Sequence, residues 1–261
     1  MYVGVDIGGT KLLCRAVDAD GHVVAQRRTA TGPEARPAEL DAAIDAFVED
    51  LDPPGDPTSF DAVRAVGVAV PVGTLLNDVR AALTGVLTEQ PQVGDVAVVV
   101  VGTGIATAFT GAGQVHAGAN GWAGELGSIP LVAPGPTARR PGTLDELASG
   151  AAVLKALQLT PEDVTARARA GDPEVRSAIT AAGQALGAGL ATLVCLVNPR
   201  LVVLAGGTLA YPGYVDAAIE AAAGLALPDP WLACAVQVDP DPDTLVVRGA
   251  THAARAAAAP V

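Results

Sequence analysis

The sequence predicts an α/β protein of two lobes, each a mixed sheet opened by a three-stranded β-meander and flanked by helices. Three observations carry that expectation. A block of apolar strand, Gly turn with an embedded threonine, strand, Gly-containing turn and strand occurs twice, over residues 2–28 and again over 96–117. Helical periodicity follows each block. Half of the residues are apolar while only 3% are aromatic, so Ala, Val and Leu must build a core of small side chains, which suits closely packed helices and sheets. A chain of 261 residues can enclose such a core as one large domain or as two modest lobes about a cleft, and the duplication favours two.

The first block reads as strands from Tyr2 to Ile7, Lys11 to Val17 and His22 to Arg28, joined by Gly8-Gly9-Thr10 and Ala19-Asp20-Gly21 in an antiparallel meander. Leu40, Ile44, Phe47, Val48 and Leu51 then recur at helical spacing, with Pro37 in the first turn. A Pro-rich link leads to a β-branched run from Val63 to Val70, stopped by Pro71, which reads as a buried strand. Asn77-Asp78 precedes a helical stretch from Val79 to Leu87. The second block has strands from Val96 to Val101, Ile105 to Thr110 and Gln114 to Ala117, turned by Gly102-Thr103-Gly104 and Gly111-Ala112-Gly113. Residues Val132 to Gly142, rich in Pro and Gly around Arg139-Arg140, read as a loop. A long helix is predicted from Glu174 to Val197, with Gly183, Gly187 and Gly189 admitting another backbone and Pro199 ending it. A strand from Leu201 to Leu204, a turn at Ala205-Gly206-Gly207-Thr208, a helix from Val215 to Leu225 and an Ala-rich helix from Gly249 to Ala259 close the chain. On this reading residues 1–88 are a small N-terminal lobe to which residues 248–261 return, and 89–247 are the larger lobe.

A formal net charge of −12, with only 16 Lys and Arg, gives an acidic surface that repels polyphosphate backbones, so nucleic acid is not an expected partner. A small anionic ligand can still be held where backbone N–H groups and a divalent cation offset the field. Cys14, Cys195 and Cys234 are scattered through apolar runs without paired spacing, and read as buried packing residues, not as a zinc site or disulfide framework. The start has no charged leader, and no segment reads as long and apolar enough to span a bilayer, so the expectation is a soluble cytoplasmic protein with no membrane partner. His22, His116 and His252 are isolated in the sequence and read as surface or structural residues.

Asp6-Ile7-Gly8-Gly9-Thr10-Lys11 differs from the glycine loops that feed a helix, because Leu12 to Val17 reads as a strand. A β-hairpin cradle is implied. Its glycines let backbone N–H groups approach phosphate oxygens, Thr10 adds a hydroxyl, and Asp6 at the strand end can hold a hydrated Mg²⁺. The plain alternative is a tight hairpin with an incidental Asp. Gly102-Thr103-Gly104 occupies the corresponding turn of the second copy, where a second phosphate clamp facing the first would have to be.

With these motifs the chain resembles the ROK family of bacterial sugar kinases, glucokinase-like members of the actin-like ATPase superfamily with its ribonuclease H-like fold. Asp6 to Lys11 resembles the family's first phosphate motif and Gly102-Thr103-Gly104-Ile105 its second. Gly118 to Gly127 is similar to the sugar-site signature, and Asn198-Pro199 through Gly206-Gly207 to the adenosine-side segment. The resemblance implies a transferase that uses ATP and Mg²⁺, with Asp6, Gly8, Gly9, Thr10, Lys11, Gly102, Thr103, Gly104, Gly206 and Gly207 on the nucleotide. It implies Asp78 as the general base and Asn77 as a sugar ligand. The alternative for that pair is a helix N-cap, and one residue can cap while its neighbour catalyses. Glu125 corresponds to a residue binding sugar hydroxyls, against the alternative of a solvated loop Glu. Asp145 falls where the family has another sugar-binding Glu, with Glu146 beside it as the other possibility. A homodimer is also implied.

The chain departs from the family in three places. Ser128 replaces the usual His after Glu-x-Gly, and no cysteine cluster follows, so no structural zinc is expected. Val70-Pro71 reaches Asn77 almost at once, so the acceptor side is shortened. The shorter Asp145 replaces Glu, altering reach by about one methylene. The changes lie on the acceptor side, and the alternatives to a hexose or polyol kinase are a pseudokinase or sugar and nucleotide sensor, and a cyclitol or amino-sugar kinase. A DNA-binding regulator is disfavoured because the chain opens directly on the first phosphate strand.

Overall fold

The computed structural model describes residues 1–8, 11–31, 36–51, 63, 65–69, 77–131 and 142–258. By its contacts the chain divides into two compact units, Met1–Pro91 with Thr244–Val261, and Gln92–Asp243. The first unit opens with β1 (Tyr2–Ile7), β2 (Lys11–Val17), β3 (Val23–Ala30), α1 (Pro37–Leu51), β4 (Ala65–Ala69) and α2 (Asp78–Glu89). The second runs through β5 (Val96–Val101), β6 (Ile105–Gly111), β7 (Gln114–Val115), β8 (Pro130–Leu131), β9 (Gly142–Thr143), α3 (Leu144–Ala148), α4 (Gly150–Leu157), α5 (Pro161–Arg169), α6 (Pro173–Val197), β10 (Leu201–Ala205), α7 (Tyr214–Leu225), α8 (Pro228–Ala233) and β11 (Ala235–Val238). The chain then returns to the first unit as α9 (Leu245–Ala257).

The first sheet has the order β3-β2-β1-β4, with the meander antiparallel and β4 parallel to β1. Alternation decides which side chains meet the core. Val3, Val5, Leu12, Cys14 and Ala16 are buried on one cluster with Phe47 of α1. Gly4 and Gly67 pair across β1 and β4, and together they leave a side-chain-free patch of sheet. Into it α9 settles so closely that a Cβ on either glycine would strike Thr251 or the Ala250 carbonyl. Helix α2 packs on α9 in turn, its Ala81 carbonyl against Gly249.

The far end of that helix pair is clasped by charge. Glu89 of α2 takes two hydrogen bonds from Arg248, at 3.0 and 3.2 Å, and lies 3.6 Å from Nε2 of His252. The imidazole and the guanidinium hold the Glu89 carboxyl down to about 2, against the upward push of partial burial. Because its folded value is depressed, the carboxylate stabilises the fold above its ordinary value of 4.5, and that contribution is lost as pH falls toward about 2. Glu89→Gln is therefore expected to lower Tm at pH 7 by a few degrees, on the order of 1 kcal/mol after discounting for exposure. The thermal-melt curve against pH should also become shallower between 4.5 and about 2. An unchanged acid limb would rule the clasp out as a source of stability. Neither His252 nor His22 stands alone as the sequence suggested, since Nδ1 of His22 meets Oδ2 of Asp18 at 3.2 Å.

The second sheet has the order β11-β10-β5-β6-β7, repeating the first with an added strand: an antiparallel meander, and β10 parallel to β5 as β4 is to β1. Its central strands β5 and β10 are apolar on both faces. Val96, Val98 and Val99 are fully buried, as are Val202 and Leu204. On one face Ile179, Leu186, Leu190 and Val194 of α6 complete the core. Gly183 and Gly187 let α7 approach, a Cβ at each falling 2.5 Å from the carbonyls of Tyr214 and Ala218. Gly189 instead accommodates the side chain of Leu144.

Three expectations about this unit are overturned. By length and composition α6 is long and apolar enough to cross a membrane, which the sequence reading denied to every segment. Much of its apolar surface is spent on the core just described. Cys195, expected to be buried, is exposed on α6 beside Leu196, which is 80% exposed, whereas Cys14 and Cys234 are buried. A helix apolar on most sides gives no sequence sign of which face is left outside. Gly142, expected in a loop, pairs with Leu131 in the two-stranded β8-β9 ladder. The remainder of that expected loop, with Arg139 and Arg140, lies outside the described residues.

Candidate functional site

In the first unit, Asp6 is the penultimate residue of β1, pairs with Leu13 of β2 and is buried, 6% exposed. The turn that follows is closed by Gly8 N–H donating to the Lys11 carbonyl at 2.8 Å, with Lys11 opening β2. Gly9 and Thr10, the tip assigned to phosphate, lie outside the described residues. Asn77 is the N-cap of α2, its side chain accepting from Val79 N–H at 3.0 Å. Oδ1 of Asp78 accepts from the same N–H at 2.7 Å. Burial pushes the Asp78 carboxyl above the ordinary carboxylate range, against the downward pull of that N–H. So Asn77 does cap the helix, and Asp78 sits in its first turn as a partly buried carboxylate that favours its protonated form more than a surface Asp would.

In the second unit the turn between β5 and β6 is closed by Gly102 N–H to the Gly104 carbonyl at 2.9 Å, leaving Thr103 exposed at its tip. A Cβ on Gly102 would meet open space, and Gly102 is not among the residues with positive φ, so neither packing nor conformation demands glycine there. The carbonyl of Gly102 accepts from Gly150 N–H at 2.8 Å and from the Thr208 hydroxyl at 3.1 Å. Oδ1 of Asp145 accepts from Ile105 N–H, the first amide after the turn, at 2.6 Å. Gly206, at φ 105°, lies so close to the Val101 carbonyl that no side chain fits, and its N–H donates to Pro242 at 2.8 Å. The Gly102-Thr103-Gly104 turn is therefore hydrogen-bonded to Gly150 and Thr208, and Asp145 to the Ile105 amide just beyond it, while Gly206 packs against the Val101 carbonyl that precedes the turn and Gly207 is exposed.

Asp145 lies in the first turn of α3, which begins with a capping box: the Thr143 hydroxyl accepts from Glu146 N–H, and the Glu146 carboxylate accepts from Thr143 N–H. Glu146 is thus occupied in capping, and Asp145 points at the turn. Burial raises the Asp145 carboxyl above its usual range, and the Ile105 N–H pulls it partly back.

Glu125 is the middle residue of an inverse γ-turn, φ −72° and ψ 55°, closed by Leu126 N–H to the Gly124 carbonyl at 2.7 Å. Gly124 itself, at φ 103°, is strapped to β6 by Thr107 N–H donating to its carbonyl at 2.8 Å. The exposed Glu125 borders an open groove of about 630 Å³ with Phe109, His116, Ile129 and Leu196. The rings of Phe109 and His116 stack there at 5.3 Å. Asp145 does not line that groove. Thr208, Gly150 and its cap Ser149 were not singled out from sequence. The signal available was a hydroxyl directly after Gly206-Gly207 and a Ser-Gly step after a short apolar stretch, which reads as a helix start.

The ROK family pattern matches residues 2–75 and 68–255. The N-acetylmannosamine kinase of Escherichia coli O157:H7 is 24% identical over 247 residues, 82% of this chain and 85% of that protein. Among solved structures, a ROK hexokinase from Thermus thermophilus superposes with a TM-score of 0.74 at 24% identity, over 99% of each chain. A ROK glucokinase from Streptomyces griseus, in complex with glucose and AMPPNP, gives 0.76 at 23% identity, over 98% of this chain and 99% of its own.

Proposed function

The chain belongs to the ROK family, and from that membership we propose that it is an ATP-dependent carbohydrate kinase, transferring the γ-phosphoryl group to a hydroxyl of a hexose or hexose-like polyol. The observation that carries the reading is the pair of glycine turns at the same topological place in the two duplicated sheets, between β1 and β2 and between β5 and β6. Each is a hairpin that ends an apolar strand, and a side chain at Gly102 would meet open space, so glycine there has no packing reason. Backbone N–H groups in such turns suit phosphate oxygens, Gly206 and Gly207 follow as the base-side contacts, and Lys11 opens the strand beyond the first turn.

In this proposal Asp78 accepts the proton of the acceptor hydroxyl as its oxygen attacks the γ-phosphorus, the bond to the bridging oxygen breaks, and ADP departs. Oδ1 is engaged by Val79 N–H, so Oδ2 takes the proton. Asn77 and Glu125 hydrogen-bond the sugar. Asp6, a buried hard-oxygen donor at a strand end, fits a hydrated Mg²⁺, which when bound would neutralise charge on the transferring phosphates.

ADP release measured with ATP, Mg²⁺ and a panel headed by glucose and N-acetylmannosamine is expected to rise well above background with at least one acceptor. Tight nucleotide binding by calorimetry with background turnover on every acceptor would replace the kinase by a binding module.

A further inference from the structure

Asp145 stands where three segments of the second unit meet. Its Oδ1 receives the Ile105 N–H at 2.6 Å. A Cβ on Gly104, in the turn, would lie 3.5 and 3.7 Å from its two oxygens. A Cβ on Gly127, two residues past Glu125, would overlap both Oδ1 and the Ile105 carbonyl. The side chain is fixed from behind by the capping box that starts α3 and by the fully buried Leu144. Glycine at 127 is thus what makes room for a short carboxylate, with Gly104 in ordinary contact range, and that carboxylate is spent on the peptide that leaves the Gly102-Thr103-Gly104 turn.

Resting on the kinase reading for its nucleotide, we propose that Asp145 is a positioning residue: it ties the Gly102-Thr103-Gly104 turn to the loop carrying Glu125, and the turn's capacity to hold the nucleotide phosphates depends on that tie. A backbone cradle works only when its N–H groups are held in place before the anion arrives. Without the Asp145 bond the amide of Ile105 has lost a charge-assisted partner, and β6 can fray from its first residue. The tie also accounts for Asp here. One methylene more would drive the carboxylate into the space bounded by Gly104, Gly127 and the Ile105 peptide.

The test measures ADP affinity by calorimetry with no acceptor present, together with hydrogen exchange of the peptide spanning residues 101–110. Asp145→Ala is expected to weaken ADP at least about tenfold, the loss of one charge-assisted hydrogen bond, and to speed exchange at the turn. Asp145→Asn, whose amide oxygen can still accept from Ile105, should recover most of both. Asp145→Glu separates the roles by sign. A residue that serves the sugar should gain acceptor affinity from the longer side chain, whereas a positioning residue should lose ADP affinity. Wild-type ADP affinity and unchanged exchange in the Ala and Glu variants, with only the acceptor KM altered, would overturn the proposal. If the wild-type protein binds no ADP, the kinase reading is what fails. Exchange then still decides the tie, and an unaltered turn in Asp145→Ala would refute it.

Discussion

Asp78→Asn is expected to cost between about a hundredfold and ten-thousandfold in kcat, the range for loss of a positioned general base, while leaving Tm unchanged or raising it. The two halves have one cause. Burial raises the Asp78 carboxyl, so its ionised form is held less favourably in the folded protein than in the unfolded chain. A carboxyl of this kind binds protons more tightly when folded, and the fold loses stability as pH rises past the ordinary Asp range. Asparagine removes that burden and keeps an oxygen for Val79 N–H, now received at 2.7 Å. A residue that only capped the helix would show no loss of turnover in Asp78→Asn. In the wild type, kcat/KM should fall as pH drops through the raised value, so its acid limb lies above that of an ordinary carboxylate. Turnover by Asp78→Asn within threefold of wild type, at saturating acceptor, would remove Asp78 from the chemistry.

Gly249→Val should be the most damaging single change for stability. Glycine inside a helix ordinarily costs about 1 kcal/mol against alanine, so replacing it would help an isolated α9. Here a Cβ would fall within the Ala81 carbonyl, and Gly85 N lies only 3.1 Å from it. The obstacle is backbone on both counts, so nothing can rotate away, and α2 must move. Overpacking of that order costs roughly 3 kcal/mol or more. The clash therefore wins, lowering Tm by about 10 °C. Gly249→Ala should move Tm in the same direction by less. A rise in Tm for Ala would show that helix propensity outweighs the contact. Because α2 begins with Asn77 and Asp78, any folded Gly249→Ala protein should also lose activity.

Strands β5 and β10 were legible because a strand buried on both faces leaves little but Val, Ala and Leu, as from Val96 to Val101 and Leu201 to Ala205. The duplicated turns were legible because glycine and threonine interrupt those runs at the same place in each copy. Helices α3, α4 and α5, of 5, 8 and 9 residues, were not, since too few apolar repeats fit in so short a span to show a period. Their caps were nonetheless written in Thr143, Ser149 and Thr160, each accepting a backbone N–H of the helix it starts.

Taken alone, the sequence determined the two antiparallel meanders, the glycine hairpins that end their first strands, and the Asn77-Asp78 cap, because each is set by residues near one another along the chain. What the tertiary structure decided is the partner of each group across long separations. Asp145 meets an amide 40 positions away, and Thr208 a carbonyl 106 positions away. It also decided that Cys195 and Leu196 fall on the outer face of α6, and that α9 presses on α2 through Gly249. Local patterning fixes which groups a segment offers. Only the packing of distant segments fixes which of them lose water and must find each other.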